Sequence, residues 1–298
     1  MTIEEYITQV YCVVDDEMKA ELKAQPLPRR AGPKPRLSCS EVITMELVGE
    51  YLGYDTDKGI WEYFRRHYLS FFPSLASRSS FVRQAANLWA YKQRLQRRLA
   101  WAQATSSDQI HIVDGIPMTV CNFKRAPRRK IFLEEADLGR CETKAHVYCG
   151  FKGHLMVDTR GVITQFSLTP ASMDERKAAW DVIDDIQGVL LADKGYTGAD
   201  NKQLLKQETG ITLLCGHRKN EAKQLPKPLE YSISRVRKII ETVIGQLSER
   251  FHLERVRARD RWHLTSRVWR KLLAHTLNTY LTYLHKLPTL KFENLVTS

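Results

Sequence analysis

The stretch "GVLLADKGYTG" (188–198) decides how this chain is read. Val189 to Ala192 form a short apolar run of the length and texture of a buried strand. The run ends directly in Asp193, followed by Lys194, Gly195 and Tyr196. Two readings are open. Asp193 is a turn residue, with Gly195 supplying a positive φ, or it is a carboxylate held rigidly at the edge of a sheet, where open α/β sheets place their sites.

Working outward, a second apolar run, "QIHIVDG" (109–115), delivers Asp114 in the same way. Asp114-Gly115 between apolar residues also fits a type I′ hairpin turn. A third acid, Glu241, lies in the helix-patterned stretch "ISRVRKIIETVIGQLSERF". At about 100° per residue, Val236, Ile239, Ile240, Val243, Ile244, Leu247 and Phe251 make one apolar stripe. Arg237 and Glu241 fall on its flank, which places Glu241 at the core boundary. An i,i+4 ion pair with Arg237 is the plain alternative. Three clustered carboxylates repel one another and a phosphate backbone, and divalent cations resolve both conflicts. Mg²⁺ takes oxygen ligands and needs only a few carboxylates, and a pair of ions suits phosphodiester chemistry.

The rest of the chain divides by texture. Residues 1 to about 24 read as a helix facing inward with Ile3, Tyr6, Ile7, Val10 and Val14. A basic, proline-rich arm spans 24–38. Ser38 and Glu41 form a capping box before a second helix. A third helix covers "GIWEYFRRHYLSFF". A long basic one, opened by Ser79 or Ser80, carries Arg83, Lys92, Arg94, Arg97 and Arg98. From about 107 the pattern becomes strand, hairpin (turning at Thr159–Gly161), helix (with a Ser172/Glu175 capping box), strand, helix, strand and long helix. That order gives an α/β layer architecture. The expected organisation is a helical, basic region over 1–106, a mixed-sheet core over 107–252 and a helical C-terminal extension over 253–298.

Lys and Arg number 46 against 34 Asp and Glu, a net charge of +12. An excess of that size points to a polyanionic partner, nucleic acid first. No apolar run approaches the ~20 residues that span a membrane. The acidic, amphipathic start is unlike a signal or transit peptide, so a cytoplasmic protein is expected. Six scattered cysteines without a C-x-x-C pair argue against structural zinc and for reduced thiols.

"VDG" at Asp114, "TPASMDERKA" from Thr169, "LADKGY" ending at Tyr196 and "RKIIETVIGQLSERF" from Arg237 resemble the DDE transposases of bacterial insertion sequences. "HRKN" (217–220), "RVRAR" (255–259) and "KLLAHTL" (271–277) extend the resemblance over roughly 40–285, most like the insertion-sequence 982 group. The resemblance implies an RNase H-like mixed-sheet core flanked by helical regions, with Asp114, Asp193 and Glu241 as a metal-binding catalytic triad. Asp193 follows Asp114 by 79 residues and Glu241 follows by 48 more, which suits a core without a large insertion. The implied cofactor is Mg²⁺, replaceable by Mn²⁺, with two ions per site. The implied reaction is hydrolysis at the element's end, then attack of the freed 3′-OH on target DNA. A nuclease that stops at hydrolysis and a silent DNA-binding protein are the alternatives.

Related transposases carry Tyr, two residues, Arg, three residues, Glu, six residues, Lys around the last acid. Here Ser234 and Ser248 stand at the tyrosine and lysine positions, with Lys238 or Arg250 as substitutes. The expected partners are the element's terminal repeats, target DNA and a second copy of the chain. Lys194, Arg218, Lys219, Arg237 and Lys238 are the expected phosphate contacts near the site, with Tyr196 and Trp262 as further DNA contacts. Arg83, Arg94, Arg97 and Arg98 are expected to read the ends. Arg257 and Arg259 belong to a second cationic surface, where eight cations between 250 and 271 face two acids. Asp174 is either a support of the site or a helix-dipole partner.

Overall fold

Capping and apolar periodicity set the first helices. The computed structural model describes residues 1–24, 34–104, 109–141, 146–183, 186–196, 199–215 and 227–297, with backbone alone at 194, 199–201 and 227–230. Most of the proline-rich arm, 25–33, lies outside the described residues. In chain order come α1 (Ile3–Ala24), α2 (Cys39–Tyr51), α3 (Asp57–His67), α4 (Arg78–Asn87) and α5 (Trp89–Ala102). There follow β1 (Ile110–Asn122), β2 (Asp137–Cys141), β3 (His146–Val157), β4 (Ile163–Pro170), α6 (Glu175–Trp180) and β5 (Val189–Ala192). The chain continues with α7 (Ala199–Thr209), β6 (Thr212–Cys215), α8 (Lys227–Glu249) and α9 (Arg261–Leu284). No described helix is long and apolar enough to cross a membrane.

Contacts divide the chain into two units, Met1–Gln103 with Leu247–Ser298, and Ala104–Gln246. In the helical unit, α1 packs on α2, and α5 and α2 pack along α9. Ser38 caps α2 with the expected reciprocal bonds to Glu41. The expected long basic helix is instead two. Ser77, not Ser79 or Ser80, caps α4 through the Ser80 N–H, and the chain breaks at Leu88 before α5.

The interior of this unit is held by charge as well as by apolar packing. Lys92 Nζ lies 2.6 Å from Glu46 and also donates to Ser266. Arg270 donates to Glu50 and Asp57, each at 2.6 Å. Lys271 donates to both oxygens of Glu50, and Arg267 reaches Asp57 at 2.5 Å. Lys92, Glu46, Glu50, Arg270 and Lys271 are almost wholly buried. Burial works against ionising Asp57, yet the Arg270 and Arg267 guanidinium groups hold its carboxyl well below the usual range. Three of the eight cations between 250 and 271 (Arg267, Arg270 and Lys271) are therefore structural, which shrinks the expected DNA-facing surface there. Lys92 leaves the basic face of the N-terminal region for the same reason. Arg250 is also engaged, lying over the Tyr51 ring at 4.6 Å and donating to the Tyr51 carbonyl.

The core unit is a six-stranded sheet ordered β2-β3-β1-β5-β6, with β4 pairing β3. β1, β3 and β4 pair antiparallel, and β5 and β6 continue the sheet in parallel with β1. The β3–β4 turn is the expected one, with Gly161 at φ 85° and Asp158 accepting the Arg160 and Val162 N–H groups. α6 and α7 cover one face through a cluster that includes Val113, Met156, Ala179, Val182, Leu190 and Leu205. A helical N-terminal region together with this antiparallel-then-parallel sheet is an RNase H-like α/β fold.

Three details differ from expectation. β1 runs on to Asn122, so Asp114-Gly115 is paired strand opposite Leu155 and His154, not a turn. Past Val113, among the described residues, β1 pairs with β3 alone, where a strand tolerates Pro117. β2, rich in polar residues and glycine, carried no strand pattern.

Removing one partner from the buried ion network leaves the others charged and unpaired, which costs about 3–5 kcal/mol. Glu50→Ala, which leaves the buried Lys271 without its carboxylate and removes one of the carboxylates on Arg270, is expected to lose that much in urea denaturation of the full chain. Arg98→Ala, which breaks the exposed pair with Glu17, is expected to lose under about 1 kcal/mol.

Candidate active site

The site follows from one register. β5 pairs β1 in parallel from Ile110↔Val189 to Val113↔Ala192. The next residue on each strand is an acid, Asp114 and Asp193, so the two carboxylates leave adjacent strands side by side. β5 is flanked by β1 and β6, and its residues Leu190 to Ala192 are buried. The apolar run thus fixes Asp193 on a rigid support.

The two acids sit in different environments. Asp114 is half-buried and accepts the Gly115 N–H at 2.7 Å. Burial is the main reason its pKa is pushed up to about 6. The charges of Asp193 and Glu175 add to the rise, while the Gly115 N–H and Arg237 oppose it. Asp193 is half-exposed and receives Arg237 Nη1 at 3.3 Å. Arg237 comes from α8 and is itself mostly buried, so α8 supplies a fixed cation to the acid pair. Glu241 is one turn further along α8 and is exposed, not at the core boundary where the helical wheel put it. The stripe beside it is partly as expected, with Ile240, Val243 and Leu247 buried. Among the described residues, no three His, Cys, Asp or Glu side chains gather closely enough to hold a metal ion.

A fourth carboxylate, Glu175, was missed in the sequence. The capping-box pattern assigned it to a cap with Ser172. Instead Asp174 caps α6 through the Arg176 N–H, and its ion pair and hydrogen bonds with Arg176 hold its carboxyl down to about 2. Ser172 donates to Asp137. Glu175 is then free to turn inward, where it accepts a short hydrogen bond from Lys152. The usable signal was Asp174 itself, a strong cap that shifts the helix start by two residues.

Gly195 is needed for this approach and not for a positive φ, which it does not have. A Cβ on Gly195 would lie 1.7 Å from Glu175 Oε2. With glycine at 195 the chain beyond Asp193 leaves past the Glu175 carboxylate without displacing it.

Tyr196 corrects another expectation. It is fully buried, so it is no DNA contact. Its hydroxyl is 3.1 Å from His154 Nδ1, and His154 Nε2 is 3.0 Å from Thr169 Oγ1. Thr169 donates onward to the Lys152 carbonyl. That order makes Nε2 the protonated nitrogen and Tyr196 the donor to Nδ1. Burial, with Lys152 adding to it, lowers the His154 pKa to about 4, so the ring is neutral at physiological pH.

The remaining DNA candidates separate by partner. Arg83, Arg97, Lys238, Arg257 and Arg259 are exposed. Arg94 pairs with Glu21 and lies 4.4 Å over the Tyr91 ring, and Arg98 pairs with Glu17 at 2.5 Å. Trp262 is exposed and donates to Asn87. Ser248 donates to Glu254. The Lys194 side chain, Arg218 and Lys219 lie outside what is described.

Against this geometry, the family profile described as Transposase DDE domain matches residues 104–261, more than half of the chain. The chain belongs to the DDE transposase family, an enzyme class that acts on DNA and generally uses divalent metal ions. No curated protein matches it.

Two outcomes follow from the site. Gly195→Ala is expected to cost under about 1 kcal/mol, because the atom its Cβ meets is the end of the flexible Glu175 side chain, and Glu175→Ala in the same chain to return it, read from a double-mutant cycle. Asp114 has a folded pKa raised above its ordinary 3.8. The stability its protonated form contributes is therefore complete below about pH 4 and lost as pH rises through about 6. Asp114→Asn is expected to abolish that loss, gaining on the order of 2 kcal/mol over the parent at about pH 8 in metal-free urea titrations.

Proposed function

We propose that this chain is the transposase of a bacterial insertion sequence, of the insertion-sequence 982 group, with Asp114, Asp193 and Glu241 as its catalytic acids. The observation that carries the proposal is the side-by-side exit of Asp114 and Asp193 from parallel strands. Burial raises the Asp114 pKa to about 6, and a bound cation would favour its ionised form. Two adjacent hard oxygen donors, which among the described residues meet one N–H group (Gly115) and one arginine (Arg237), fit a divalent ion. Mg²⁺ is commonly held by one or two carboxylates together with substrate phosphates.

In this proposal Asp114 and Asp193 hold Mg²⁺, with Mn²⁺ able to substitute and a second ion completing the site, and Glu241 is the third ligand. A bound ion supplies charge neutralisation and an activated oxygen for phosphodiester cleavage. Arg237 orients the Asp193 carboxylate through one of its oxygens. Glu175 draws the Lys152 ammonium to the same sheet edge, and the neutral His154–Tyr196 pair fixes the backbone that follows Asp193.

The reaction proposed is cleavage at the element's ends followed by 3′-OH strand transfer into target DNA. Residues 1–106 are the proposed end-binding region, 107–252 the catalytic core and 253–298 an extension. Arg83, Arg97, Lys238, Arg257 and Arg259 are favoured as phosphate contacts because they are exposed. Lys194, Arg218 and Lys219 complete the set proposed near the acids. A homodimer acting on DNA in the bacterial cytoplasm joins the two ends.

The test is incubation with labelled terminal-repeat DNA and Mg²⁺. Strand-transfer products are expected, and cleavage of arbitrary DNA without transfer would indicate a nuclease instead. Asp114→Ala, Asp193→Ala and Glu241→Ala are each expected to reduce cleavage and transfer by more than about 10³-fold while DNA affinity stays near that of the parent. Activity close to the parent in any of the three removes that residue from the triad.

A further inference from the structure

The helical unit contains a cavity of about 230 Å³ lined by Lys58, Arg78, Arg257 and Arg267, with Asp55 and Asp57 as its acids. One of the two acids is already engaged. Asp57 is already bonded to Arg267 at 2.5 Å and to the buried Arg270 at 2.6 Å. Arg267 also donates to the Arg257 carbonyl, which pins the segment carrying Arg257 beside the cavity. Arg78 is the first residue of α4, placed there by the Ser77 cap. Among the described residues, neither Arg78 nor Arg257 pairs with a carboxylate. Both are exposed, so the cavity opens between two guanidinium groups that form no ion pair among the described residues.

The start of α3 adds to this field. Thr56 caps the helix through the Gly59 N–H, while the N–H groups of its first turn have no partner within the helix. The cavity is smaller than the ~300 Å³ at which small-molecule pockets begin. Its size and charge suit one compact oxyanion. Arginine forks match phosphate oxygens, and paired guanidinium groups can grip two of them.

We infer that this cavity seats one backbone phosphate of duplex DNA, gripped by Arg78 and Arg257 with Arg267 and the start of α3 behind it. The inference rests on DNA being the partner of the helical unit, as proposed above. It separates this surface from the α5 arginines Arg94 and Arg98, whose charges are met by Glu21 and Glu17. The end-binding region then contacts DNA through a built seat between α3, α4 and the segment before α9.

The test uses the full chain and fluorescence anisotropy with a labelled mixed-sequence duplex of about 30 base pairs, titrated across salt concentrations. Arg78→Ala/Arg257→Ala is expected to lower the slope of log affinity against log salt by about 1 and to weaken binding about tenfold. Its thermal midpoint should stay at the parent value, because among the described residues neither side chain has an ion-pair or hydrogen-bond partner. Arg78→Lys/Arg257→Lys, which keeps the charge, should recover most of the slope. A double-alanine variant with the parent's slope and affinity overturns the inference and leaves DNA binding intact. A parent chain that fails to bind the duplex at low salt overturns both. In a second arm with inorganic phosphate alone, stabilisation of the parent but not the variant, with unchanged DNA binding, assigns the cavity to free phosphate and overturns the DNA seat.

Discussion

The parallel pairing of β1 with β5 is the constraint on which the site depends. Its last couple is Val113↔Ala192, and each strand then presents an aspartate. Shifting the register by one residue would turn one carboxylate to the opposite face of the sheet. The buried run Leu190–Ala192 resists such a slip, since every residue of it is packed. The same constraint brings like charges together, and burial raises the pKa of Asp114 to about 6. α8 answers in part by directing Arg237 at Asp193. A site with one fixed guanidinium and two neighbouring carboxylates is incomplete in charge, which is the condition in which a divalent ion binds to advantage.

Charge in the helical unit follows a different logic. The net charge of +12 suggests a broad cationic surface. Yet Lys92, Arg270 and Lys271 are enclosed with Glu46 and Glu50, and Arg267 is committed to Asp57. These pairs fix the packing of α9 against α2 and α5. The cations left for a partner are fewer and more localised, among them Arg78, Arg83, Arg97, Arg257 and Arg259.

Much of the fold was legible because it rests on local chemistry. The Ser38/Glu41 cap, the inward face of α1, the β3–β4 turn and the buried strand before Asp193 each follow from neighbouring residues. The pairing of Asp114 with Asp193 was legible as two apolar runs with the same ending. What was not legible depends on choices between local alternatives. Asp174 outcompeted Ser172 as a cap and released Glu175. Gly195 is small to admit Glu175, a neighbour distant in sequence. Tyr196, close to Lys194 and Gly195 in the sequence, looked exposed but is buried against His154. Buried lysines and arginines are illegible in principle, because their partners on α2 lie more than 45 residues away in every case.

The most direct measurement is an anomalous-scattering map from crystals of the full chain soaked in Mn²⁺. The account predicts a peak bridged by the carboxylates of Asp114 and Asp193, absent in crystals of Asp193→Asn. Saturating Mn²⁺ that leaves that position empty, or that binds only elsewhere, would contradict it.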